Sequence, residues 1–128
     1  MDTGTYLAAI KAKLVNSAII KYIDIVQEYV TSEHGFFRAR LTLRNDDFLE
    51  VAEFFRDEQG AVQTVEYRHQ WMDSDRRILR KRWDNAAHFP EVPNFPHHVH
   101  VGPTGAVEPG GALSTIKLIE LLEQTIAE

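Results

Sequence analysis

The chain has 128 residues, 44% of them hydrophobic and 26% charged, with a formal net charge of −5 and no cysteine. Such a length and balance fit one soluble globular domain spanning residues 1–128, able to bury a core without covalent staples. Absence of cysteine excludes disulfides, thiolate nucleophiles and Cys-based zinc sites, and the acidic balance argues against a generic nucleic-acid coat, which needs local positive charge.

No stretch approaches the roughly 20 apolar residues that span a bilayer, and MDTGTYLAAIKAKL lacks the cationic start and apolar run of a signal peptide. A cytoplasmic protein without membrane contact is expected. Residues 5–15 read as a helix, with Thr5 as its cap and Leu7, Ile10 and Leu14 at helical spacing. From Ala18 to about residue 30, Ile19, Ile23, Ile25 and Tyr29 mark a long strand. Glu33-His34-Gly35 turns the chain into FFRARLTLR, where Phe37, Ala39, Leu41 and Leu43 face one way and Arg38, Arg40, Thr42 and Arg44 the other. Asn45-Asp46-Asp47 makes the next turn, Phe48–Phe55 the next strand, and Asp57–Gly60 turns again before Val62–Met72. Asp73-Ser74-Asp75 then leads to a short strand ending at Trp83. Strand, short turn and strand, repeated, reads as an antiparallel meander.

Arg76, Arg77, Arg80, Lys81 and Arg82 put five cations in seven residues. A solvated edge strand and a phosphate-facing role are equally open for this run. After Trp83 the prolines Pro90, Pro93 and Pro96 punctuate an irregular loop, and order returns at His98-Val99-His100-Val101. GPTGAVEPGG reads as a flexible connector, and Ser114 caps a last helix with Ile116, Ile119, Leu122 and Ile126 inward. The fold class expected is α+β: an antiparallel meander sheet of five to six strands with the N-terminal and C-terminal helices packed on it.

Four of the six histidines lie in WDNAAHFPEVPNFPHHVHV, residues 83–101. In an extended HHVHV, Val99 and Val101 can enter the core while His98 and His100 share the other face, about 7 Å apart by strand rise. Two such imidazoles can act as an acid/base pair near neutral pH. His97 falls on the valine side. Asp84 can orient an imidazole, Trp83 can offer a stacking face, and His88 is a third participant; each also has a purely structural use as turn cap, core ring or carbonyl partner. Arg38 and Arg40 face Glu50 across the strands, where ion pairing competes with binding of phosphate. His69 shares an aromatic stripe with Tyr67 and Trp71 and reads as packing. GxGxxG, GxxxxGK[ST], HExxH and GxSxG motifs are missing, so dinucleotide, P-loop, zincin and α/β-hydrolase functions lack support.

The WDN…H-P…NFPHH-H core resembles the TumE-type family, small prokaryotic toxins of toxin–antitoxin pairs. Upstream, YRHQWMDSDRRILRKRWDN and FFRARLTLRNDDFLEVAEFF occupy the expected order, so the similarity runs over nearly the whole chain. Ala87-His88-Phe89 departs from the pattern where two adjacent histidines are expected. The resemblance implies a cognate antitoxin partner carrying a helix-turn-helix and an RNA substrate, cleaved in the manner of an mRNA interferase without any cofactor or metal. On that reading His98, His100, His88 and Asp84 are catalytic, while Arg38, Arg40, Arg82, Trp83 and Asn85 bind substrate. The alternative is a non-catalytic interaction module using the His/Pro loop as its surface. A metal enzyme built from His97, His98 and His100 with Asp84 ranks last, because it needs a bent backbone. A homodimer and a monomer are both open.

Overall fold

The computed structural model describes residues 1–87, 91, 93–102 and 104–126. In chain order the elements are α1 (Thr3–Asn16), β1 (Ile20–Val30), β2 (His34–Leu43), β3 (Phe48–Glu58), β4 (Ala61–Met72), β5 (Leu79–Asp84), β6 (His98–Val101), β7 (Ala106–Pro109) and α2 (Thr115–Ile126). Among the described residues the seven strands form one antiparallel sheet in sequential order, β1 to β7. None of the described helices is long and apolar enough to cross a membrane.

Alternation in β2 is obeyed: Phe37, Ala39, Leu41 and Leu43 are all buried, and Leu49, Val51 and Phe55 of β3 join them on that face. Both helices cover it, with Ile10 and Leu14 of α1 and Leu118, Ile119 and Leu122 of α2 fully buried. Burying each such side chain contributes about 1.5–3 kcal/mol, which is why period-two and period-3.6 patterns choose their faces so firmly. Among the described residues no helix lies on the opposite face of the sheet. It holds Arg38, Arg40, Glu50, Arg68, Arg82 and Asp84, with Arg40 opposite Glu50 and Arg68 opposite Asp84 by strand register.

One buried polar group locks the covered face. The Glu53 carboxylate, with no exposure, accepts from Thr115 N at 2.8 Å and Thr115 Oγ1 at 2.7 Å, and from the hydroxyls of Thr64 and Tyr6. It thereby joins α1, β3, β4 and the start of α2, where the helix dipole favours a negative charge. Tyr6 is pushed above its usual range by burial first and by the Glu53 charge second.

Several boundaries differ from the sequence expectation. Helix α1 starts at Thr3, because Asp2 Oδ1 accepts the Thr5 amide at 2.7 Å and takes the capping role given to Thr5. Ser114 does cap α2, its Oγ accepting from Lys117 N at 3.2 Å. The expected connector contains β7, which pairs with β6 from Val101↔Ala106 to His98↔Pro109, bringing the strand count to seven. An edge strand held by backbone bonds needs little apolar content, so composition concealed it. The basic run is not an edge strand, since β5 lies between β4 and β6. Its cations diverge: Arg80 pairs with buried Asp47 at 2.7 Å, Arg76 sits 4.0 Å from the Phe48 ring centre, and Arg82 joins the uncovered face.

Candidate active site

The β5–β6 register sets Asp84 against His98 and Arg82 against His100, placing all four side chains at one corner of the uncovered face. His98 Nε2 lies 2.8 Å from Asp84 Oδ1, and His100 Nε2 lies 3.6 Å from Asp84 Oδ2. Arg82 donates through Nη2 to His100 Nε2 at 3.0 Å and through Nε to Asp84 Oδ2 at 3.2 Å. The two imidazoles meet edge to face with ring centres 4.8 Å apart.

Donor and acceptor chemistry separates the two rings. A guanidinium can only donate, so His100 Nε2 is an acceptor, the lone-pair-bearing nitrogen of a base. Burial, followed by the Arg82 charge, pushes His100 below the ordinary histidine value, while Asp84 opposes the shift. His98 Nδ1 lies 2.9 Å from the Pro96 carbonyl, which can only accept. Its other nitrogen faces the Asp84 carboxylate, so the ring is held between β5 and the Pro96 carbonyl. Exposure divides them as well: the His98 side chain is 2% exposed and Asp84 7%, against 13% for His100 and 27% for Arg82. His100 and Arg82 are therefore the accessible members, with His98 and Asp84 behind them.

Asp84, His98 and His100 each offer one ligand atom within 4.8 Å of the others, a donor set able to hold a metal ion. Arg82 occupies the same carboxylate oxygen and the same imidazole nitrogen, so a cation would have to displace a guanidinium and then sit beside its charge. The set expected from His97, His98 and His100 does not form. The His97 ring lies on the covered side, stacked on Tyr67 with Nδ1 2.8 Å from the Tyr67 hydroxyl.

Along the uncovered face, Arg38 binds Glu50 Oε2 at 2.8 Å and Arg40 binds the same oxygen at 3.3 Å. Burial would raise the Glu50 carboxyl, but the hydrogen bonds and charges of Arg38 and Arg40 outweigh it and hold it below the usual range. Two guanidiniums share one carboxylate, which leaves one positive charge over. Arg68, exposed on β4 between these pairs and Asp84, makes no ion pair among the described residues. A cavity of about 680 Å³ opens beside it, lined by Phe36, Phe54, Glu66, Arg68, Arg82 and Asp84 among others. A second hollow of about 230 Å³ continues it, sharing Ala52 and Arg68 and reaching Arg38 and Glu50.

The structure thus brings His98, His100, Asp84 and Arg82 together, with Arg38 and Arg40 on β2, three strands from β5, on the same face. Trp83 departs from expectation: 7% exposed, it packs in the core on the other side of β5 and has no free face for a base. Asn85 is also committed, its Oδ1 accepting from Tyr67 N at 3.0 Å and its Nδ2 donating to Val65 O at 2.8 Å. These two bonds clip the start of the loop to β4 and hold Asp84 in register. His88 lies outside the described residues. His69, read as packing, is fully buried, bonded to Leu113 O at 2.9 Å and stacked on Tyr67.

Sequence reading missed Arg68, Phe36 and Phe54. Arg68 was legible in principle, because it alternates with Tyr67, His69 and Trp71. Phe36 alternates with Phe37 in the same way, but two adjacent phenylalanines hide which one faces out.

A seven-stranded antiparallel sheet with one face under two helices, and an Asp–His–His–Arg cluster on the other, defines a small α+β protein. A family model described as Toxin TumE matches residues 9–128, and the chain belongs to that toxin family. Membership implies a cognate antitoxin as its partner. No curated protein and no solved structure matches the chain.

Proposed function

We propose that this toxin is a metal-independent ribonuclease whose chemistry is carried by His100, His98, Asp84 and Arg82. The observation that supports it is the cluster itself: an accessible neutral imidazole, a second imidazole held against a carboxylate, and a guanidinium between them. Cleavage of RNA without metal needs a base for the 2′-hydroxyl, an acid for the leaving 5′-oxygen and positive charge for the phosphorane. Arg82 Nη2 turns from His100 Nε2 to the substrate phosphate, where it meets the developing negative charge, and the lone pair it leaves takes the 2′-proton as the 2′-oxygen bonds to phosphorus. His98, facing Asp84, is assigned as the acid: its proton passes to O5′ as the P–O5′ bond breaks, leaving a 2′,3′-cyclic phosphate and a 5′-hydroxyl. Arg38 and Arg40 lie on the same face toward adjoining phosphates.

The test is expression of the chain and of its His98→Ala, His100→Ala double variant, with growth arrest scored alongside RNA cleavage by purified protein in chelator. Cleavage by the original and none by the variant is expected. Undiminished cleavage by the variant removes the assignment. The 2% exposure of the His98 side chain favours a second reading, a non-catalytic module whose histidines brace the strand pair. An original protein that arrests growth yet never cleaves RNA would establish that reading instead.

A further inference from the structure

Three rows of side chains cross the uncovered face, each stepping from strand to strand. One runs His100, Arg82, Gln70, Glu50, Arg40; the next runs His98, Asp84, Arg68, Ala52, Arg38; the third runs Glu66, Phe54, Phe36, Tyr29. Successive rows lie two residues apart along the strands, about 7 Å. The third row is aromatic. Tyr29 stacks on Phe36 with ring centres 6.1 Å apart, and His34 lies against Phe54 at 5.5 Å and against Tyr29 at 6.0 Å. Four rings therefore form one half-buried to exposed platform on the face opposite both described helices. Cross-strand aromatic pairs stabilise any sheet. Here the pair Phe36 and Phe54 also lines the 680 Å³ cavity that ends at Arg82 and Asp84. Ala52, between Arg38 and Arg68, keeps the middle row low enough for the two hollows to join.

We infer that this platform is a base-stacking subsite for single-stranded RNA, with the strand's phosphates on the arginine row and one unpaired base on Phe54 and Phe36. The inference rests on the ribonuclease reading and adds the class of RNA it takes. Charge complementarity sets the direction. Arg68 has no carboxylate partner among the described residues, and Arg38 and Arg40 share one, so the middle of the face can accept phosphate. Glu66 at the aromatic end repels phosphate, which turns a base rather than the backbone toward the phenyl rings. Duplex RNA keeps its base faces inside the stack, so only an unpaired strand can use them.

The test uses a short 2′-O-methyl RNA, which lacks the nucleophile for cleavage, carrying one 2-aminopurine. The full chain should bind it and change the 2-aminopurine emission through stacking. Phe54→Leu should weaken binding roughly ten- to hundred-fold and abolish the emission change, while Phe54→Tyr should restore both. Arg68→Gln should weaken binding and leave the emission change of the bound strand intact. A duplex of the same sequence should give no emission change. Equal affinity and emission for the original and a Phe54→Leu protein of unchanged melting temperature would overturn the subsite, as would no binding at all. Parallel assays on unmodified RNA separate the two ideas. Phe54-dependent binding without cleavage leaves the subsite standing and removes the ribonuclease; cleavage with KM and kcat unmoved by Phe54→Leu does the reverse.

Discussion

The two faces of the sheet carry similar chemistry under opposite constraints. On the covered face, Glu53 is bonded to Thr115, His69 to Leu113, Tyr67 to Gly111 and His97 to Tyr67, all in buried or half-buried surroundings. On the uncovered face, Asp84, His98, His100 and Arg82 form a similar set of contacts, yet His100 and Arg82 remain within reach of another molecule. The difference is what lies over the residues. Two helices fill one side with packed side chains, and a buried polar group there must be satisfied internally at a cost of about 1–3 kcal/mol if it is not. Without helices above it, the other side can exchange partners, as a binding or catalytic surface must.

This contrast can be broken at several points. The largest effect is expected from His100→Ala, which removes the proposed base: cleavage should fall 10²- to 10⁴-fold in single-turnover assays while the melting temperature hardly moves. A large fall in melting temperature instead would make His100 a covered-face type of residue. Glu53→Ala should behave oppositely. Loss of a carboxylate that accepts from Thr115, Thr64 and Tyr6 should cost about 3 kcal/mol or more by denaturant titration. Whatever fraction stays folded should cleave normally.

Smaller shifts sharpen the comparison through pH. His100 sits below the ordinary histidine value of 6.5, so its base form prevails at neutrality, and the acid limb of the rate profile should lie below about that value. Arg82→Gln removes the second cause of that depression, so the acid limb of the rate profile should move upward along with any loss in rate. His69 is depressed by burial, with the Leu113 bond and the Glu53 charge opposing. A histidine held neutral in the fold binds its proton more readily when unfolded. Its contribution is therefore complete above the unfolded value near 6.5 and is lost as pH falls below it. Melting temperature should drop on acidification through that window, and His69→Phe should flatten the slope. The smallest effect is expected from Trp83→Phe, which leaves a modest cavity in the core; cleavage and RNA affinity should stay within about two-fold, because the ring faces away from the site.

Much of the site was legible from alternation. In HHVHV the valines and histidines fall on opposite sides, so His98 and His100 share a face and His97 does not. FFRARLTLR places Arg38 and Arg40 outward by the same rule. Trp83 was misread because a tryptophan beside Asp84 invites a stacking role, whereas β5 sends adjacent residues to opposite faces. The same alternation that exposes Asp84 to the histidines buries Trp83. Asn85 was misread for a different reason, since amide bonds to the backbone of a distant strand leave no trace in local spacing.

The sequence by itself determined the meander, the terminal helices and the face most strand residues take, because side-chain period is a local property of the backbone. It also carried family membership, through the WDN…NFPHH-H core. Tertiary structure alone decided which outward residues become neighbours. Pairing of β5 with β6 sets Asp84 on His98 and Arg82 on His100, and pairing of β2, β3 and β4 lines Phe36, Phe54 and Arg68 along one track. Register is a relation between segments far apart in the chain, fixed by turn lengths and by the common demand of all strands to bury one face. It also separated two equivalent-looking histidines, leaving His98 enclosed against Asp84 and His100 open beside Arg82.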